Sequence, residues 1–215
     1  MPCGCSDCKT PGFFDERLAR KELRKYHRAG PRETTKRLIA VLRAAGAGGT
    51  LLDIGCGTGI LTFELLGAGF SSATCIDAAP ASLAAGRAEA MRRGVGERIT
   101  WIEGDFVELA SSVPGADVVT LDRVVCCYPA YRPLLQEAAA HGRRYLALVY
   151  PRDRWFVRLF LRLENLWLKL RGNEFRAYLH PPHLIDEVLR RSGLTAAGSG
   201  DSLAWEVRLY ERKQA

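Results

Sequence analysis

Leu51-Leu52-Asp53-Ile54 runs directly into Gly55-Cys56-Gly57-Thr58-Gly59, with glycine at every second position, and then into the helical pattern of residues 60–66. A short apolar strand that passes through a glycine turn into a helix is the opening of a βαβ unit. Glycines let the backbone turn tightly and let a ligand approach it with no Cβ in the way. The alternation continues downstream, with apolar runs at 73–76, 99–103, 118–121 and 145–150 and helical patterns at 80–93 and 131–141. Gly94 and Gly142 are placed to stop those two helices in a left-handed conformation. A last helix at about 183–191 leads through Gly193 to a β-ribbon ending at 202–210. The expected fold is a doubly wound α/β sheet.

Length and composition set the scale. The chain has 215 residues, 47% apolar and 26% charged, which suits one domain with a sizeable core. Within it, residues 1–46 read as a Cys-rich tip and two cap helices (15–28 and 34–45), 47–150 as the half that holds a ligand, and 151–215 as a lid helix with C-terminal strands. No apolar run approaches the roughly 18 residues of a membrane span. Met1-Pro2-Cys3-Gly4-Cys5 lacks the basic-then-apolar pattern of a signal peptide, so a cytoplasmic location is expected. Seven cysteines, an odd number without a secretion signal, read as reduced thiols.

The formal net charge of +7 is unevenly placed. Residues 13–43 carry a local +6 and residues 152–172 a local +4, which leaves −3 for the rest. The positive charge therefore belongs to the cap and the lid, where it serves either an anionic partner or a solvated helix face.

The glycine spacing narrows the ligand. A dinucleotide fingerprint would need glycine at position 60, where the chain has Ile60. Asp53, two residues before the first glycine, would repel a pyrophosphate and favour a cation. The pattern Asp53-x-Gly55-x-Gly57-x-Gly59 resembles the first motif of the class I S-adenosylmethionine-dependent methyltransferases. That resemblance implies a Rossmann-like seven-stranded sheet with an antiparallel C-terminal strand, an N-terminal helical cap, and S-adenosyl-L-methionine as cofactor. It places Cys56 in the cofactor loop, Asp77 on the ribose hydroxyls with Ala78 beside it, Gly104-Asp105-Phe106 at the adenine, and Asp122-Arg123 beside the methionine portion. Read from the residues alone, Asp77 equally suits the start of the helix that follows at Pro80, and Cys56 and Cys75 suit packing.

Methyl transfer from a sulfonium is an in-line displacement, and a general base is needed only for an acceptor protonated at neutral pH. Residues 122–129 lack the Asn/Asp-Pro-Pro-aromatic loop of enzymes that methylate base amino groups, so no nucleic-acid partner is expected. Cys126 and Cys127 are not in the Pro-Cys or Thr-Cys context of pyrimidine C5 enzymes.

A weaker resemblance links Phe14-Asp15-Glu16-Arg17, Arg28-Ala29-Gly30-Pro31, residues 121–129 and Tyr150-Pro151-Arg152-Asp153-Arg154-Trp155 to a group near magnesium-protoporphyrin IX O-methyltransferase. It implies a small-molecule acceptor with a carboxylate on a flat apolar body. Such a carboxylate, with a pKa of about 4.3, is already ionised at neutral pH and needs no base. Arg123, Arg152 or Arg154 would orient it as planar forks, with Tyr26 and Tyr128 beside it. His183 and Tyr128 are the candidates if a base is used, although Pro181-Pro182-His183 equally reads as a helix start.

Trp155, Phe156, Leu159, Phe160, Leu163, Leu166, Trp167 and Leu170 recur at helical spacing as an apolar stripe, which suits an apolar acceptor, a membrane surface, or an ordinary lid helix packed on the core. Cys3-x-Cys5-x-x-Cys8 offers three soft ligands without a nearby fourth, so no resident metal is expected. It supports a rival reading, methylation of a thiol-bound acceptor such as arsenite. A second rival, a methyltransferase-fold RNA-binding or RNA-modifying protein, rests on the basic residues 17–28.

Overall fold

The computed structural model describes residues 14–213. Two cap helices come first, α1 (Glu16–Ala29) and α2 (Glu33–Ala44). Asp15 starts α1 by accepting a hydrogen bond from the Leu18 amide at 2.8 Å. The βα units follow: β1 (Thr50–Ile54), α3 (Ile60–Gly67), β2 (Ser72–Asp77), α4 (Pro80–Arg92), β3 (Ile99–Glu103), α5 (Phe106–Leu109), β4 (Ala116–Asp122), α6 (Tyr131–His141) and β5 (Gly142–Pro151). The chain ends with α7 (Trp155–Leu170), α8 (Pro182–Arg191), β6 (Leu194–Ser199) and β7 (Trp205–Arg212).

All seven strands form one sheet in the order β3-β2-β1-β4-β5-β7-β6. β1 to β5 are parallel, and β7 lies antiparallel between β5 and β6. The expected doubly wound sheet with an antiparallel C-terminal strand is therefore present. The order reverses between β1 and β4, which opens a crevice at their carboxyl ends.

The strands read as apolar runs because both faces of the sheet are covered. In β5, Leu146, Leu148 and Tyr150 pack with α5, α6 and α8 on one face, while Tyr145, Ala147 and Val149 pack with α2, α3 and α4 on the other. This period of two is the pleat itself.

A polar cluster joins α1 of the cap to α4. Glu89 of α4, only 5% exposed, accepts from Arg92 and Arg93 and meets His27 of α1 at 3.0 Å, and these partners hold its carboxyl down at about 2.

Two details differ from expectation. Gly142 does not stop α6 in a left-handed turn; its φ is −80° and it is the first residue of β5, because the chain passes from helix to strand without a linker. The terminal strand starts at Trp205, since Ser202 closes a turn by donating its amide to the Trp205 carbonyl at 2.9 Å.

Leu148 is fully buried, so Leu148→Ala is expected to cost about 2–5 kcal/mol in urea unfolding, and Met91→Ala, at a residue 78% exposed, less than about 0.5 kcal/mol.

Candidate functional site

A cavity of about 1170 Å³ opens at the carboxyl ends of the central strands. Its floor comes from the ends of β1, β2 and β4 and the loop after β3, which bring Asp53, Asp77, Asp122 and Asp105 together. α1 and the start of α2 form the roof, with Glu22, Lys25, Tyr26, Arg32 and Lys36. Phe156 and Phe160 of α7 and Trp205 of β7 line the far side.

The glycine turn is built for a backbone that ordinary residues disfavour. Gly55, at φ 63°, has Val124 so close that a Cβ would lie 2.5 Å from Cγ2. Gly59, at φ 78°, begins α3, and a Cβ there would lie 2.7 Å from the Trp101 ring. Gly57 is different, because a Cβ added there would meet nothing nearer than the Glu22 carboxylate at 3.9 Å. Gly57 therefore faces open cavity, a bare strip of backbone on which a ligand fits. Glu22 also accepts from the Thr58 hydroxyl at 3.5 Å, which joins the roof to the turn.

Asp53 is 1% exposed and accepts a hydroxyl on each oxygen, from Thr62 of α3 at 2.8 Å and from Thr120 of β4 at 2.7 Å. Burial pushes its carboxyl up to about 7, against the pull of the two hydroxyls and with further upward push from Asp122 and Asp77. Asp77 accepts from the Gly57 amide at 2.7 Å and the Ala79 amide at 2.8 Å, and burial raises its pKa as well. Asp77 thus serves the turn and the start of α4 while still lining the cavity.

Asp105 caps α5 through the Val107 amide, and both of its oxygens lie 2.9 Å from the Tyr128 hydroxyl, which donates to them. Asp122 accepts from Thr35 of α2 at 2.5 Å. Arg123, beside it, is the sole non-glycine residue among those described with a positive φ, 63°. That backbone costs about 1 kcal/mol or more and occurs preferentially at ligand sites. Cys126 and Cys127 both donate to the Arg123 carbonyl, and the Cys127 thiol is pushed up by its contact with Cys126 and by burial, so it stays protonated at neutral pH.

Eleven of the twelve residues expected at the cofactor line this cavity: Asp53, Gly55, Cys56, Gly57, Asp77, Ala78, Gly104, Asp105, Phe106, Asp122 and Arg123. Gly59 does not, because its role is to start α3 against Trp101. Of the acceptor candidates, Tyr26, Arg123 and Tyr128 line the cavity. The Tyr26 hydroxyl donates to Glu64 at 2.6 Å, and burial raises its pKa to about 12.

Arg152 lies outside the cavity, bonded to the Ser202 carbonyl at 3.0 Å, and Arg154 is an exposed residue just before α7. His183 is exposed in the first turn of α8 and also lies outside. Cys3, Cys5 and Cys8 fall outside the described residues, among which no cluster suits a metal. Lys25, Lys36, Thr35 and Glu22 were missed as site residues because only the packing of the cap brings them over the floor.

The Asp53 carboxyl gives the site a pH signature. In the fold it holds its proton up to about 7, and in the unfolded chain only to its ordinary 3.8, so stability contributed by this group falls as pH rises through that window. The stability of Asp53→Asn relative to the native chain, measured by urea unfolding, is expected to improve by about 2 kcal/mol from pH 5 to pH 8. A difference that does not change with pH would contradict this assignment.

Comparison with known proteins places the site in a family. Residues 51–144 match the family model of a methyltransferase domain. A probable cobalt-precorrin-6B C(15)-methyltransferase (decarboxylating) from Pyrobaculum aerophilum is 34% identical over 108 residues, 49% of this chain and 53% of the relative. The chain spans about half the length of the curated relatives it matches.

Among solved structures, magnesium protoporphyrin IX methyltransferase from Synechocystis PCC 6803 with bound SAH superposes with a TM-score of 0.70 at 21% identity, covering 84% of this chain and 83% of that one. An O-methyltransferase family 2 protein from Planctomyces limnophilus in complex with apigenin has a TM-score of 0.68 at 20% identity, over 92% and 62% of the two chains. These two likenesses concern the fold. Motif, strand order and family model agree that residues 51–144 carry a methyltransferase domain of the class I S-adenosylmethionine-dependent type.

Proposed function

We propose that the protein transfers a methyl group from S-adenosylmethionine to a carboxylate oxygen of an apolar small molecule. The carrying observation is one cavity with two chemically different ends, an acidic floor and an apolar mouth under a roof where Lys25, Arg32 and Lys36 stand among Glu22, Glu33 and Glu164. At about 1170 Å³ it exceeds the roughly 300–1,000 Å³ of an ordinary ligand site, which leaves room for two molecules side by side.

When bound, S-adenosylmethionine supplies a methyl group activated by a sulfonium. The chain supplies position and field. Asp53, Asp77 and Asp122 make the floor favourable to a cation, and Gly57 leaves backbone bare beside them. Asp77, whose oxygens still have lone pairs beyond the two amide bonds, suits the ribose hydroxyls. Asp105 and Phe106 suit the adenine, and Asp122 with Arg123 the methionine portion.

The acceptor end favours a group that arrives ionised. No histidine is among the residues lining the cavity, and the Cys127 thiol and Tyr26 hydroxyl are shifted away from proton acceptance. A carboxylate needs no base, and Lys25, Lys36 and Arg123 are at hand to orient it. Phe156, Phe160 and Trp205 suit an apolar body. The Pyrobaculum relative is named for methylation at a carbon, so the choice of oxygen rests on this cavity's chemistry and not on kinship.

Two measurements test the proposal. Calorimetric titration with S-adenosylhomocysteine is expected to show binding that Asp77→Ala weakens about tenfold or more, and binding indifferent to that change would overturn the cofactor placement. In an acceptor screen with labelled cofactor, the label is expected to leave the product as methanol under mild alkali, as from a methyl ester. A product stable to alkali would exclude a carboxylate acceptor.

A further inference from the structure

α7 turns its apolar side away from the protein. At about 100° per residue, Trp155, Leu159, Leu163, Leu166, Trp167 and Leu170 fall within one arc of the helix. Each of these is between 49% and 78% exposed. The buried residues of α7, Val157 and Leu168, lie on a different arc. Arg158, Arg162 and Lys169 form a basic edge directly beside the apolar arc. Arg171 follows, its guanidinium 4.1 Å from the Trp167 ring centroid. The one acid of the helix, Glu164, lies off the apolar arc and lines the cavity. No helix among the described residues is long and apolar enough to cross a membrane.

We propose that α7 docks this protein on the surface of an anionic lipid bilayer, with the helix in the plane of the interface and the cavity mouth against it. Charge complementarity selects this occupant. A helix with Trp, Phe and Leu on one arc and Arg and Lys at its edge inserts the first among acyl chains and sets the second among phosphates. A second copy fits less well, because two such faces packed antiparallel lay their basic edges side by side.

Position adds to the argument. Phe160, 63% exposed and on the same arc, lines the cavity. Leu203, 78% exposed, sits in the turn whose Ser202 and Ala204 also line it. The apolar surface is thus continuous with the mouth, and an apolar acceptor enters from the bilayer without crossing water. That route rests on the methyl-transfer proposal, whereas the docking rests on α7 alone.

Sedimentation of the full chain with vesicles tests it, using phosphatidylcholine alone and phosphatidylcholine mixed with phosphatidylglycerol. The chain is expected to partition onto the mixed vesicles, less onto the neutral ones, and less as salt rises. Two variants, Trp155→Ser/Leu163→Ser/Trp167→Ser and Arg162→Gln/Lys169→Gln, change exposed residues that do not line the cavity. Each is expected to lower the partition coefficient about tenfold or more. Affinity for S-adenosylhomocysteine, titrated on the same samples, is expected to stay unchanged.

Absence of partition onto the mixed vesicles, or partition that neither variant alters, would overturn the docking. So would light scattering that shows a dimer abolished by the triple variant, since the face would then join two copies. Vesicle binding without S-adenosylhomocysteine binding would leave the docking standing and remove the proposed reaction.

Discussion

The structure depends on a carboxylate that water does not reach. Asp53 sits on the central strand at the point where the strand order reverses, and its two oxygens are held by a threonine from the following helix and a threonine from the neighbouring strand. A buried charge without partners would be prohibitively costly, so the three elements must meet in one arrangement for those hydroxyls to reach it. The same arrangement starts α3 at the correct angle and leaves the glycine turn open above the floor. Burial also moves the Asp53 carboxyl up to about 7.

Around this node the charges are sorted by layer. The floor is acidic, and its carboxylates also do structural tasks: Asp77 holds the glycine turn, Asp105 caps α5, and Asp122 anchors α2 through Thr35. The basic excess lies above, on α1, the start of α2 and α7. Lys25, Arg32 and Lys36 line the cavity, while Arg158, Arg162 and Lys169 stand outside its mouth on α7. Thr35 on Asp122 and Glu22 on Thr58 join the cap to the floor, and His27 on Glu89 joins it to α4.

Much of the fold was legible in the order of residues. The apolar runs of β1 to β5 and the helical periods between them are short-range patterns, and both faces of this sheet are covered, so the signal is strong. The spacing of Asp53, Gly55, Gly57 and Gly59 was also local, since a turn of left-handed glycines is encoded where it occurs. Placement was not legible where a residue's environment comes from elsewhere in the chain. Gly142 does end α6, as its position suggested, but at φ −80° it also opens β5 in place of a left-handed turn. Arg152 looked like an acceptor clamp, yet the turn at 200–204 takes its guanidinium. His183 looked available for catalysis, yet α8 packs through Ile185, Val188 and Leu189 and leaves it outside.

The sequence by itself determined the βα alternation, the glycine turn and the family of the cofactor site, because each is written within a few consecutive residues. It also located the positive charge in two segments. Only the tertiary structure decided that these segments roof and flank the cavity, that Tyr128 belongs to Asp105 and Thr35 to Asp122, and that the apolar arc of α7 faces outward. The stripe on α7 has the same period whether it packs on a core or meets a partner. Which side is buried depends on Val157 and Leu168, whose contacts lie far away along the chain.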